Sequence, residues 1–466
     1  MNRECGGRYV SNGIPQGPFV NYYNVSDERF TNMEGEKPEK LIKSLMGYIQ
    51  RSVGTAIIPE ESFHVVLDSI GKDYMGYLSS LKGISLSKEN FIKLSEAQDL
   101  ANQVLSRIDR NKRYYSMNFF SEETAQKLMA VFQNSDMSRN FLNENLGLGT
   151  EINQANSKVY LQKKFGKFMV NGTYIDFQSV GWEDDLRSYF YNAQKMGYPV
   201  MLRLDRSVSG LGNKKLESEK DLNDFVRLVK FGQLNIEKSL VEVCLPEGSM
   251  FMSPSCQTYV NNSDDVEVFS FTDQLLEGSV HEGNVQLKGD KYQKLKEKMS
   301  KISKEIVQAY SKELSVKGFA GVDFMLVDLE EVGDLSIFGD KIEYVNIEGK
   351  DYAVVVCEVN WRLTGAYASC MIQGLYGDSL ENSRISNINT VEFEKKSHLN
   401  YQQLQNQIIL KLKESGLLFD PSSDKNKHGI YPFSIHEDKI QVAVVSEDSE
   451  KEKVYLQKLK KVLEEI

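Results

Sequence analysis

The stretch Val354-Val355-Val356-Cys357-Glu358-Val359-Asn360-Trp361-Arg362-Leu363-Thr364-Gly365 joins a run of apolar residues to three polar side chains at its end. The apolar run predicts a buried strand. Alternate residues of a strand share a face, so Glu358, Asn360 and Arg362 are expected to point the same way. A carboxylate and an amide oxygen are hard ligands for Mg²⁺. A guanidinium pairs with phosphate or carboxylate through parallel hydrogen bonds. On these three residues alone, a strand end turning toward solvent fits equally well.

Outward from that stretch, the bulk properties bound the possibilities. The chain has 466 residues, 41% hydrophobic and 26% charged, with a net charge of −10. That length predicts two to three domains with ample core material. The negative charge argues against a nucleic-acid partner, although a small nucleotide site sets its own local field. No long apolar window predicts a membrane span, and the opening residues lead into no apolar signal-peptide core. Five scattered cysteines (Cys5, Cys244, Cys256, Cys357, Cys370) form no C-x-x-C pair. Cys244 and Cys357 sit in apolar strand patterns and read as reduced core residues, which points to the cytoplasm. The five histidines lack zinc-ligand spacing.

Taken in order, the chain begins with a Gly-, Asn- and Pro-rich arm to about residue 37. Helices are predicted from Pro38 to about Val53, from Ser85 to about Asp109, and from Glu122 to Asn134. Phe63 to Leu67 fits either a strand or a helix start. Asn156-Ser157-Lys158 opens a helical run on Tyr160, Leu161 and Phe165, with Ser157 as its cap. A lysine in the first turn opposes the helix dipole; it is either a solvated surface lysine or a ligand. Pro199 to Asp205 is a strand that enters the small-residue loop Arg206-Ser207-Val208-Ser209-Gly210-Leu211-Gly212-Asn213. Such a loop lets backbone N–H groups approach phosphate, but an ordinary hairpin turn has the same composition. Its spacing matches neither the P-loop nor the dinucleotide fingerprint.

Further strands are expected at Ser239–Leu245 and in a hairpin of Ser255–Val260 with Val266–Phe271. A long amphipathic helix runs from Tyr292 to Val316. Gly318 to Val327 is a second buried strand interrupted by Asp323, and a buried lone carboxylate is costly unless paired or metal-bound. Two successive strands, antiparallel by expectation, then bring Asp323 and Glu358/Asn360 together. After Gly377 the sequence is polar to about Asn400. A helix from Tyr401 to Leu412, a hairpin (Gly429–Ile435, Lys439–Val445) and a final helix to Ile466 follow.

In this order the pieces resemble the ATP-grasp superfamily. Asn156-Ser157-Lys158 looks like its phosphate-contacting lysine region, Pro199–Asn213 like its strand and flexible loop, and Val241–Leu245 like its adenine-facing hinge. Asp323, Glu358 and Asn360 match its metal-binding acid, acid and amide, and Arg362 its arginine at the reacting carbonyl. Three segments are most similar to peptide ligases of the pheganomycin type: Leu204–Asn213, Ser253-Pro254-Ser255-Cys256-Gln257, and Thr272-Asp273-Gln274. The chain departs from the pattern at Arg203, where lysine is usual, at Trp361, and at Leu363-Thr364-Gly365-Ala366-Tyr367, where relatives are Gly-rich.

The resemblance implies an α/β (α+β) ATP-grasp fold: a pre-ATP-grasp α/β domain at 1–135, the ATP-grasp domain at 136–395 with its hinge near 241–246, and a small closing subdomain at 396–466. It implies ATP and Mg²⁺, or Mn²⁺ in its place, as cofactors. ATP would meet Lys158, Arg203, Ser207, Ser209, Gly210, Gly212, Asn213, Glu242, Val243 and Leu245. Arg362 and Arg203 would be catalytic, and Gln257, Asp273, Gln274 and Thr364 would face substrate. The implied reaction joins a small-molecule carboxylate to an amine through an acyl phosphate. Two alternatives stay open: loading of an amino acid onto an acyl carrier protein thiol, and ATP binding without turnover. A homodimer is compatible with the resemblance.

Overall fold

The computed structural model describes residues 154–205, 213–234, 236–277, 280–362, 364–394, 399–423, 427–436 and 438–466, with 19–21, 54, 63–66, 70–93 and 115–116. The helices expected at Pro38–Val53 and Glu122–Asn134, and Cys5, lie outside these residues.

Near the N-terminus, β1 (Phe19–Asn21), β2 (Phe63–Val66), β3 (Phe91–Lys93) and β4 (Tyr115–Ser116) form a parallel sheet in the order β3-β2-β1-β4. Phe63 to Val66 is thus strand. The helix expected from Ser85 is not formed over its first residues. Ser87 and Asn90 cap a short 3₁₀ turn instead, and Phe91 pairs with His64 in the parallel ladder. Helix α1 (Lys72–Lys82), which the sequence pattern did not reveal, ends at Gly83 in the left-handed conformation, φ 65°.

The middle of the chain starts with α2 (Lys158–Phe165). A four-stranded antiparallel sheet follows, ordered β5 (Gly172–Asp176), β8 (Lys238–Val243), β6 (Val200–Leu204), β7 (Lys214–Leu216). Helices α3 (Trp182–Lys195) and α4 (Glu219–Lys230) cover it. Leu186, Phe190 and Ala193 on α3 and Leu222, Phe225 and Val226 on α4 recur at helical steps and are all buried. A capping box of Ser218 and Asp221 starts α4. The loop after β6 joins antiparallel neighbours, so the hairpin reading of that connection holds at its ends.

The larger layer is a ten-stranded antiparallel sheet. Its order is β14 (Glu343–Ile347), β15 (Lys350–Asn360), β13 (Gly318–Asp328), β10 (Pro254–Asn262), β11 (Asp265–Glu277), β12 (Val280–Gln286), β16 (Arg384–Glu392), β18 (Lys439–Ser446), β17 (Gly429–His436), with β9 (Met250–Met252) beside β13. Helix α5 (Gln293–Leu314) lays Leu295, Met299, Ile302, Ile306, Tyr310 and Leu314 into the core on one face of this sheet. The polar segment after Gly377 contains β16, which the sequence reading passed over. Ser386 and Asn387 are buried there beside Ile385, so no apolar alternation marks the strand. Helices α6 (Tyr367–Tyr376), α7 (Tyr401–Glu414) and α8 (Ser449–Glu464) share a core with β17, β18 and α1. Among the described residues no helix is long and apolar enough to cross a membrane.

Candidate active site

The register of β13 sets the centre of the site. Asp323 lies directly opposite Glu358 on β15 and opposite Ser255 on β10. Like charges facing each other across a ladder repel. The Asn360 amide bridges the two: Nδ2 donates to Asp323 Oδ2 (2.8 Å) and to Glu358 Oε1 (3.0 Å). Its Oδ1 accepts from Arg362. The three polar residues at the end of the opening stretch do share one face.

A bulge sits where the register shifts between Asp323 and Phe324, so that Cys357 is the extra residue on β15. Cys357 and Glu358 both reach the cavity as a result. This corrects the expectation that Cys357 is a core residue. Cys244, just past the end of β8, is likewise half-buried, whereas Cys256 and Cys370 are buried; all four are free thiols.

Cations arrive from α2 and from β6 of the smaller sheet. Lys158 Nζ lies 3.1 Å from Glu358 Oε2, and Arg203 Nη2 lies 3.9 Å from the same oxygen. Arg203 also pairs with Glu242 at 3.2 Å and donates to the Cys357 carbonyl at 3.3 Å. Burial alone would raise the Glu358 pKa, but the Lys158 and Arg203 charges outweigh it and hold the carboxyl well below the usual carboxylate range. Asp323 goes the other way. Burial first, then the Glu358 charge, push it well above that range, against the hydrogen bond from Ser255. The pair therefore holds one firm negative charge and one carboxyl that readily keeps a proton.

Lys158 sits at the start of α2, against the helix dipole. Asp205 offsets this. Its Oδ1 accepts from Ser157 Oγ (2.6 Å) and from Val159 N (2.9 Å), while its carbonyl accepts from Lys158 N (3.1 Å). Ser157 caps the helix as expected, accepting from Tyr160 N. The residue after β6 thereby anchors the first turn that carries Lys158.

These groups line a cavity of about 470 Å³. Val170, Met201, Val243, Leu245 and Met325 make part of its wall apolar, and Gln274, His281, Asn284 and Thr364 contribute polar groups. Of the residues singled out in the sequence, Lys158, Arg203, Asn213, Glu242, Val243, Leu245, Gln274, Asp323, Glu358, Asn360, Arg362 and Thr364 line it together. Gln257 is buried behind the wall. Asp273 is not a lining residue either: its Oδ1 accepts from Ser253 N (3.0 Å), and burial lifts it to about 6. Ser207, Ser209, Gly210 and Gly212 lie outside the described residues. Sequence reading missed His281, Asn284 and Asp205 as site groups. Asp205 belonged to a quoted segment, but nothing in the Val280–Gln286 pattern distinguishes His281 or Asn284.

No family model matches the sequence, and no curated protein matches it. Solved structures do match it in shape. N5-carboxyaminoimidazole ribonucleotide synthetase from Thermus thermophilus matches with a TM-score of 0.50 at 10% identity, covering 90% of this chain and 98% of that one. The fold is ATP-grasp. Two further matches score lower: N5-carboxyaminoimidazole synthetase from Staphylococcus aureus complexed with ADP (0.48, 13% identity, 96% and 98% covered) and a biotin carboxylase–β,γ-ATP complex from Campylobacter jejuni (0.49, 14% identity, 85% and 84% covered).

The donor set suits a hard divalent cation. Among the described residues no three His, Cys, Asp or Glu side chains cluster as a protein-only metal site would. Two carboxylates and an amide are what remain, with one carboxyl strained by its neighbour's charge. Mg²⁺ is commonly held in this way, by one or two carboxylates, with water and substrate phosphates completing its shell.

Proposed function

We propose that this chain is an ATP-dependent carboxylate–amine ligase that works through an acyl phosphate. The observation that carries the reading is the facing pair Asp323–Glu358, with Lys158 and Arg203 on Glu358 and Arg362 beside Asn360. The apolar wall at Val170, Met201, Val243, Leu245 and Met325 receives the adenine, with residues 241–246 as the hinge. Lys158 and Arg203 balance the triphosphate charge, helped by the loop at Ser207, Ser209, Gly210, Gly212 and Asn213.

Asp323, Glu358 and Asn360 hold Mg²⁺ or Mn²⁺, which when bound offsets charge on the phosphates. A substrate carboxylate oxygen attacks the γ-phosphorus and ADP leaves. An amine nitrogen then attacks the acyl carbon, the C–N bond forms, and the C–O bond to phosphate breaks. Arg362 stabilises the oxyanion of that step; loss of such a donor costs about 10²–10³ in rate. Gln274 and Thr364 contact substrate from the cavity wall. In this reading residues 1–135 form the preceding α/β domain, 136–395 the ATP-grasp domain and 396–466 the closing part.

The test is nucleotide product analysis with ATP–Mg²⁺ and a pool of amino acids and small carboxylates, beside Glu358→Gln. ADP and phosphate that depend on the pool and vanish in the variant are expected. AMP and pyrophosphate would replace the acyl phosphate by adenylation. ATP binding without release in any pool would favour a non-catalytic role, and release only with an acyl carrier protein would make the acceptor a thiol.

A further inference from the structure

Along one side of the cavity, with only Gln257 set back behind its wall, four side chains form a chain of hydrogen bonds. The Ser255 hydroxyl donates to Asp323 Oδ1 at 2.5 Å. Its oxygen accepts from Gln257 Nε2 at 2.7 Å. Gln257 Oε1 in turn accepts from the Thr364 hydroxyl at 2.8 Å. Thr364 Oγ1 finally accepts from Ala366 N at 3.3 Å, at the start of α6. With Asp323 ionised, as a cation ligand must be, it can only accept, so Ser255 donates to it, and Gln257 then presents its amide nitrogen to Ser255 and its oxygen to Thr364.

Gln257 and Ser255 are buried to 0% and 1% exposure, so neither can trade its partner for water. The chain crosses the strand at Gly321. A Cβ there would lie 2.6 Å from Thr364 Cγ2 and 3.2 Å from Gln257 Oε1, so a residue without a side chain leaves room for the third link. At one end is Asp323; at the other is the segment that carries Arg362. Arg362 itself also reaches Asp323 through Asn360, while other ties of the segment run elsewhere: Trp361 N to Asn156 Oδ1 (2.8 Å), Trp361 Nε1 to the Lys317 carbonyl (2.8 Å), and Asn387 Nδ2 to the Gly365 carbonyl (2.9 Å).

We propose that Ser255, Gln257 and Thr364 are positioning residues: a directed relay that holds Asp323 in its cation-binding orientation and fixes the Arg362 segment against it. This rests on Asp323 being a cation ligand in the function proposed above. It also assigns Gln257 a place behind the metal acid instead of on a substrate. Ser255 and Gln257 act only through Asp323 and the Arg362 segment, and Thr364, which also faces the cavity, joins them through Gln257.

The test is direct binding of Mn²⁺, read by electron paramagnetic resonance of free Mn²⁺, to the full chain with a non-hydrolysable ATP analogue. Ser255→Ala is expected to weaken Mn²⁺ about 10- to 100-fold, as loss of a supporting hydrogen bond does. Gln257→Met and Thr364→Val should weaken it by about tenfold, the lower end of that range, although neither touches Asp323. Thr364→Ser, which keeps the hydroxyl, should bind like the parent. Thermal melts identify any variant that fails to fold, and Thr364→Val, nearly isosteric, is the decisive one. Parent-like Mn²⁺ affinity in folded Thr364→Val would overturn the relay while leaving the ligase reading intact. A parent chain that binds no Mn²⁺ with or without the analogue would overturn both.

Discussion

Arg203 is one of the positions at which the chain departs from its resemblance, and its contacts explain what an arginine does there. One nitrogen pairs with Glu242 while the other reaches the Cys357 carbonyl and the Glu358 carboxylate. A single ammonium cannot span these partners at once. Arg203→Lys should therefore keep the charge yet raise the ATP dissociation constant about tenfold or more, since a charged hydrogen bond is worth about 1.5–3 kcal/mol; isothermal titration with ATP–Mg²⁺ reads it.

A second residue, remote from the site, makes stability depend on pH. Burial lowers Lys82 from 10.5 to about 7. An unfolded Lys82 binds its proton up to about 10.5, so between 7 and 10.5 the unfolded state holds more protons than the native one. Stability present at high pH is thus lost progressively as pH falls from 10.5 to about 7. Lys82→Met should melt higher than the parent near neutrality, by an amount that shrinks as pH approaches 10.5. A melting-temperature difference constant over that window would contradict the burial.

At the scale of elements, α2 depends on a residue nearly fifty positions later in sequence. Asp205, at the end of β6, caps its first turn and places Lys158. Asp205→Ala should cost about 1–2 kcal/mol, the upper range for a lost cap, and weaken nucleotide binding through Lys158. Asp205→Asn, which still offers an acceptor oxygen, should recover most of both in urea unfolding and ATP titration. The bulge at Cys357 is the other device at this scale. Without the extra residue, strand alternation would turn either Glu358 or Cys357 away from the cavity.

Across the whole molecule, the C-terminal hairpin continues the large sheet. β18 pairs with β16, and the core beneath it mixes α1 residues such as Tyr74 and Leu78 with Leu404, Phe433 and Val444. A chain ending at residue 395 would leave β16 as an open edge over an uncovered apolar face. Such a truncation is expected to aggregate or bind a hydrophobic dye strongly; a soluble, cooperatively melting product would refute this account of the core.

The sequence alone determined the elements whose cost of error is high. A buried strand interrupted by Asp323 and another ending in Glu358-x-Asn360-x-Arg362 admit few arrangements, because unpaired charge cannot be buried. Helix α5 followed from its apolar stripe, the first hairpin from the turn residues Asn261–Asp265, and the C-terminal hairpin from its two strand segments. Only the tertiary structure decided what depends on register and long-range pairing. Nothing local reveals that Cys357 is a bulge residue or that Asp205 caps α2. Nor does it reveal β16 as a strand, because its buried Ser386 and Asn387 break the apolar alternation that would mark it. His281 and Asn284 reach the cavity wall for a related reason: β12 pairs with both β11 and β16, and that pairing is set by partners distant in the chain.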